Sequence, residues 1–332
     1  MIQGRAADLP SFCSLVDFGA VNLSEEEEAF RGELNREMLL LCESLPRSMQ
    51  TRATLFLVKY LHASFRDGLN FVNYFYAPAW SILFWLNRSW PDNRKLDPTY
   101  VKDAKTGHTI AMFLHAFDDH LIDGQLPVTH MALLMRSQFW MVMNQAFERL
   151  AKGVKRGADI VSDFIDDYYS CCGTSDEPGS LDSYCAFFRK QMATCLIVPV
   201  LTAKRRYAHE EFARSVREVY SSFGIAWRLL DDLQDIEKDV TKGIHSSLYT
   251  CLPEEMRKRW DQARREKADG NGSSAEQVLN YVLASGVIGR IRQRICSELE
   301  SAASTADACD MTGFADELRC LSRPLRDGEN PT

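Results

Sequence analysis

Apolar side chains return at helical spacing along almost all of the 332-residue chain, and the alternating pattern of a half-buried strand is scarce. That pattern leaves an all-α bundle as the expected architecture. Apolar residues make up 45% of the sequence. At this length roughly three quarters of the unfolded surface can be buried, which allows a bundle wide enough to hold an internal cavity. Helices are expected at about 25–45, 51–67, 71–88, 98–123, 129–151, 158–172, 181–206, 208–241, 253–267, 274–285, 287–304 and 311–321. Ser24 ahead of four consecutive glutamates is a helix start whose acids complement the dipole. Pro98 suits the first turn of the helix it opens.

The breaks fall at Pro46, Pro91, Pro98, 124–127, 153–157, 173–179 and 268–274, each short and rich in Gly, Pro, Asn or Ser. None resembles an interdomain linker, so one domain is expected over 20–323, with an extension at 1–19 and a flexible tail at 324–332. The stretch 268–274 (ADGNGSS) reads as mobile. The aromatic run 71–86 is too apolar to be solvated and is expected to line a pocket or a dimer face, with a kink at Pro78.

A net charge of −7 argues against a nucleic-acid groove, which needs a basic stripe. The ten cysteines include no CxxC, and Cys42, Cys185 and Cys195 sit in apolar helical patterns, where free Cys behaves as a small hydrophobe. Neither a signal peptide in the first residues nor an apolar run of about 20 residues is read, so no stable membrane insertion and a cytoplasmic location are expected.

Two acidic motifs carry the chemistry. In the first, Asp118, Asp119 and Asp123 end a segment, 110–117, that is apolar except for His115. Asp119 and Asp123 stand at i,i+4, on one helical face and about 6 Å apart along the axis. In the second, Asp231, Asp235 and Asp239 form an i, i+4, i+8 stripe after Phe223, Ile225, Ala226, Trp227, Leu229 and Leu230. A solvated acidic face is the plain alternative for each. Like charges on a buried helix cost heavily unless cations neutralise them, and the motifs recur at the ends of two apolar helices. Carboxylate sets without His or Cys suit hard cations, Mg²⁺ above all, with remaining positions taken by water and phosphate oxygens.

The sequence at these points resembles the class I isoprenoid synthases, the all-α helical bundle around a central apolar cavity shared by trans-prenyltransferases and class I terpene cyclases. Asp118-Asp119-His-Leu-Ile-Asp123 is similar to the DDxxxD/E variants of the first aspartate-rich motif. Asp231-Asp232-Leu-Gln-Asp235 resembles the second prenyltransferase DDxxD, and its extended stripe has the spacing of the cyclase metal triad. The segment 184–200 resembles the prenyltransferase helix whose Lys-Thr pair contacts the diphosphate, with Lys190 at the Lys position and Gln191 replacing Thr. Arg189 matches the cyclases' diphosphate-sensing arginine as an alternative.

The resemblance implies an enzyme that binds a linear isoprenyl diphosphate through three Mg²⁺ ions held by Asp118, Asp119, Asp123, Asp231, Asp235 and Asp239. Arg189, Lys190, Gln191, Arg228, Lys242 and His245 are implied as diphosphate contacts. Met112, Phe113, His115, Phe117, Phe187, Phe188, Phe223 and Trp227 are candidates for the pocket wall. A homodimer is also implied. The basic Gly-Gly-Lys-Arg and the paired arginines with which elongating prenyltransferases hold isopentenyl diphosphate are missing. Cyclisation or elimination of one substrate is therefore the first expectation, and prenyl transfer the alternative.

Other helical enzymes fit less well: a di-iron bundle needs paired Glu-x-x-His motifs, and an HD phosphohydrolase an adjacent His-Asp, neither of which occurs. The further acidic group Asp163, Asp166 and Asp167 lacks a long apolar lead-in and a basic partner, and reads as structural.

Overall fold

The computed structural model describes residues 16–63, 70–89, 96–172, 178–206, 210–268 and 273–327. Among these residues no strand occurs, and fifteen α-helices follow one another. They are α1 (Glu25–Glu43), α2 (Arg47–Tyr60), α3 (Ala77–Arg88), α4 (Pro98–Ile122), α5 (His130–Ala151), α6 (Gly157–Cys172), α7 (Leu181–Gln191) and α8 (Ala193–Arg206). After them come α9 (Glu210–Gln234), α10 (Ile236–Lys242), α11 (Ser247–Cys251), α12 (Glu254–Ala268), α13 (Ser273–Ala284), α14 (Val287–Ala308) and α15 (Thr312–Asp327).

Local chemistry sets the helix starts. Ser24 and Glu27 form a reciprocal capping box at α1, satisfying two backbone donors that the first turn leaves free. Asp97 caps α4, accepting from Thr99 N at 2.7 Å and Tyr100 N at 3.3 Å, with Pro98 in the first turn as expected. One contiguous apolar core runs through the bundle. Its two central helices are α4, which packs on α5 and α8, and α9, which packs on α8 and α14. Among the described residues no single helix is long and apolar enough to cross a membrane.

Several expectations change, beginning with the helix expected over 51–67, which runs from Arg47 to Tyr60. The helix expected over 181–206 is two, α7 and α8, bent by 66° at Met192; Pro199 is accommodated inside α8. The helix expected over 208–241 is interrupted at Asp235, which carries the cap position of α10. The 71–88 helix begins only at Ala77, after a 3₁₀ turn at 72–74, and Pro78 opens it without a kink. Proline fixes φ and lacks only an N–H that a first turn does not use. Seven residues of α3 are buried inside the bundle, among them Trp80 and Leu83, so its apolar run is core.

The chain ends also differ from expectation. Residues 16–23 pack onto the body: Val16 and Phe18 are buried, and Gly19 N donates to Leu321 O at 3.0 Å. At the other end α15 continues through Pro324 to Asp327. Of the stretches expected to be mobile, 268, 273, 274 and 324–327 are helical, while 269–272 and 328–332 lie outside the described residues.

Candidate active site

The two aspartate motifs, distant in sequence, meet. Each lies at the C-terminal end of a central helix, and one guanidinium joins them. Arg228 Nη1 lies 3.3 Å from Asp119 Oδ2 on α4 and 3.9 Å from Asp231 Oδ2 on its own helix. Its Nε lies 3.0 Å from Asp232 Oδ1 and donates to the Tyr184 hydroxyl at 2.9 Å. Asp232 is 1% exposed and also accepts the Tyr184 hydroxyl and Ser247 N, at 3.2 and 2.9 Å. Asp232 thus anchors Arg228, which extends the other side of its guanidinium into the gap between the motifs.

Beside this gap lies a recess of only about 50 Å³, lined by Tyr74, His115, Ala116, Asp119, His120, Phe188, Trp227, Arg228 and Asp231. The helical period explains the choice: His115, Ala116, Asp119 and His120 share one face of α4. Phe113 and Phe117 point the other way, where they pack on Tyr60 and, for Phe113, on Phe139. The 70–76 segment brings in Tyr74. Its hydroxyl is 3.4 Å from His120 Nε2, while Tyr60 from α2 holds His120 Nδ1 at 2.9 Å. His115 is edge-on to Phe188 at 5.6 Å and tilted against Trp227 at 5.9 Å. The thioether end of Met192 packs over Gly224 of α9, with Phe188 alongside, so a larger side chain there requires Met192 to move.

The electrostatics are those of crowded carboxylates. Asp239 is 4% exposed, and its carboxyl is pushed up to about 8, chiefly by desolvation and then by Asp232, with Arg228 opposing. Asp231 is pushed up to about 6 by desolvation, opposed by Arg228 and reinforced by Asp232, Asp235 and Asp119. Desolvation and Asp119 raise Asp123. Burial lowers His115 and His120, favouring neutral imidazoles. Among the described residues no three acidic, His or Cys side chains converge closely enough to hold an ion unaided. The donor set nonetheless fits Mg²⁺: it is all oxygen, its charges repel, and this ion takes part of its shell from water and phosphate.

Other expected site residues lie apart from the recess. Asp118 turns away, 4% exposed, with both oxygens engaged. Arg136 Nε and Nη2 reach them at 2.5 and 2.8 Å, the Tyr168 hydroxyl donates at 2.7 Å and Trp140 Nε1 at 3.4 Å. Arg189 and Lys190 are exposed at the end of α7, Arg189 facing Glu298 of α14 at 3.7 Å. The backbone of Gln191 hydrogen-bonds His115. Phe187 is half-buried, and Met112 and Phe223 are core. His245 lies 2.8 Å from Asp261 and stacks on Tyr249, while Lys242 is exposed. The Asp163–Asp167 group has one basic partner that its own segment lacks, Arg217 of α9. Both acids line a cavity of about 210 Å³ with Lys204, Arg214 and Arg217, and Arg217 lies 3.9 Å from Asp167.

Sequence reasoning did not assign Tyr74, His120, Asp232 or Tyr184. His120 and Asp232 lay inside the motifs, and Tyr74 inside the aromatic run already marked as a possible pocket wall.

Comparison with solved structures decides the fold. The heptaprenyl diphosphate synthase of Staphylococcus aureus superposes with a TM-score of 0.68 at 12% identity, over 94% of this chain and 100% of that one. The fold is that of the class I isoprenoid synthases. A geranylgeranyl pyrophosphate synthetase from Pyrococcus horikoshii matches with a TM-score of 0.63 at 13% identity, over 91% and 98% of the two chains. A geranylgeranyl pyrophosphate synthase from Corynebacterium glutamicum, complexed with isoprenyl diphosphate and magnesium, matches with a TM-score of 0.58 at 14% identity, over 91% and 100%. No family model matches the sequence, and no curated protein is detectably similar to it. In this isoprenoid synthase fold the likeness is carried by backbone architecture, with little sequence behind it.

Proposed function

We propose that the chain is a Mg²⁺-dependent prenyltransferase: it ionises a linear isoprenyl diphosphate and passes the allylic cation to a second substrate. The observation that carries the reading is the approach of Asp119 and Asp231, from two distant helices, to the single Arg228 guanidinium. The solved neighbours are prenyl diphosphate synthases by name, which favours transfer over the cyclisation or elimination that the sequence put first.

In this reading Asp119, Asp123, Asp231, Asp235 and Asp239 hold the ions, three by resemblance. When bound, Mg²⁺ neutralises the leaving diphosphate as the C–O bond breaks. Asp118 positions the end of α4 through Arg136 and Tyr168. Arg228 stays fixed by Asp232 and Tyr184 on its Nε side, so its Nη side is free to meet diphosphate oxygens once the carboxylates turn to metal. Tyr74, Phe188 and Trp227 offer aromatic faces to the cation, each worth about 1–2 kcal/mol when desolvated. They also keep out water that would quench the cation. The recess must open for an isoprenoid chain, and movement of Met192 at the α7–α8 bend is the simplest way. For the expected homodimer we favour α5, where Leu133, Leu134 and Met141 are exposed.

A second reading, cyclisation or elimination of one substrate, keeps a specific basis: residues 124–130 contain no arginine and the chain has no Gly-Gly-Lys-Arg. Incubation with C10, C15 and C20 diphosphates in Mg²⁺, with and without isopentenyl diphosphate, separates the two. A longer diphosphate formed only with both substrates supports elongation, and a hydrocarbon from one substrate supports the second reading. Absence of diphosphate release from every substrate rejects both.

A further inference from the structure

Just beyond the second motif lies an open groove of about 560 Å³, formed by Gly243, His245, Asp261, Arg264 and Arg265. Gly243 ends α10 in the left-handed region at φ 68°, and the stem of Arg264 lies 3.0–3.5 Å from where a Cβ would stand. The other basic side chains of α12 described here have partners. Arg257 donates to the Leu252 and Thr250 carbonyls, Lys258 pairs with Glu254 at 2.6 Å, and Arg259 with Glu255 at 3.8 Å. Among the described residues Arg264 and Arg265 have neither an ion pair nor a hydrogen bond, and neither does exposed Lys242 at the end of α10. The groove's one acid, Asp261, is engaged internally by His245 at 2.8 Å and by the Tyr249 hydroxyl at 3.3 Å.

The charge of this groove is opposite to that of its neighbour. The metal-ligand stripe ends at Asp239, one turn before Lys242, and without cations that stripe repels a diphosphate. Guanidinium groups are planar forks matched to phosphate oxygens. We propose that Arg264 and Arg265, with Lys242 at the edge, form a second anion site that binds a diphosphate group without metal. The site stands beside the acidic cluster and takes the head group of an incoming substrate or of the leaving diphosphate. Only the choice of ligand rests on the function proposed above.

The test is calorimetric titration of inorganic diphosphate, and separately of geranyl diphosphate, into the full chain in EDTA. Both ligands are expected to bind with similar affinity, since the site reads the head group alone, and binding should weaken with salt. Losing two charge-assisted contacts in an Arg264→Gln/Arg265→Gln variant should weaken it about tenfold or more. Both positions are exposed, and a wild-type circular dichroism spectrum confirms that the variant is folded. No binding in EDTA, or undiminished binding in the variant, overturns the proposal. Mg²⁺-dependent turnover is a separate readout: its absence alongside intact EDTA binding rejects the proposed function and leaves this site standing.

Discussion

Adjacent aspartates of the first motif should fail in opposite ways. Asp118 is held by a two-point contact from Arg136, a 2.7 Å bond from Tyr168 and a longer one from Trp140. Asp118→Asn preserves shape but removes the charge and sets an amide N–H₂ against the guanidinium. Breaking a buried ion pair costs about 3–5 kcal/mol. Arg136 is 36% exposed at its side chain, so water recovers part of that, and a loss of about 2–3 kcal/mol is expected. Asp119 is 34% exposed at its side chain and faces Asp231 across Arg228. Asp119→Asn relieves repulsion as it weakens one contact, so stability should move by less than about 1 kcal/mol. Turnover should nevertheless fall by at least ~10²–10³, the cost of losing one electrostatic stabiliser. Urea unfolding followed by circular dichroism, paired with diphosphate release at saturating Mg²⁺, reads both quantities. If Asp118→Asn keeps wild-type stability and loses turnover as Asp119→Asn does, Asp118 is a metal ligand and the positioning role is wrong.

Arg228→Met leaves buried Asp232 without its counter-charge, with only the Tyr184 and Ser247 hydrogen bonds remaining, and should cost about 3–5 kcal/mol in urea unfolding; a loss under 1 kcal/mol removes Arg228 as the strut between the motifs. Glu317, buried against Ser81 and Trp85, has its carboxyl pushed up to about 8 from 4.5, chiefly by burial, with Glu27 adding to it. The native state therefore binds an extra proton between these values. Its contribution is complete below about pH 4.5 and is lost as the pH rises through about 8, by at most roughly 4–5 kcal/mol. Glu317→Gln should flatten that part of the stability profile and exceed wild type at alkaline pH; parallel profiles contradict the assignment. At Gly313 an added Cβ meets the Trp85 ring, so Gly313→Ala should lower stability by about 1–3 kcal/mol, and an unchanged melting temperature refutes this packing.

Much of the fold was legible because it is written locally. Ser24, Asp97 and Pro98 mark helix starts through contacts within four residues, and the apolar period marks the buried faces. The spacing of Asp119, Asp123 and Asp231 likewise marks two helix ends as the candidate site, but not the break at Asp235 that puts Asp239 on α10. What failed was non-local. Arg228 could be read as the i,i+4 partner of Asp232, but its reach to Asp119 depends on how α4 and α9 pack. Asp118 is taken out of the recess by Arg136 and Tyr168, which no motif spacing announces. The ion-pair partner of Asp167, Arg217, comes from α9. The bend at Met192 sits in an unbroken helical pattern, and Phe113 and Phe117 satisfy the same period as His115 and Asp119 on the opposite face.

Anomalous diffraction from crystals grown with Mn²⁺ and inorganic diphosphate shows whether the two aspartate motifs hold metal together. Metal peaks are expected between α4 and α9, within bonding distance of Asp119 and Asp231 and of diphosphate oxygens. Diphosphate without metal at that place, or metal bound elsewhere on the molecule, would contradict a shared metal site.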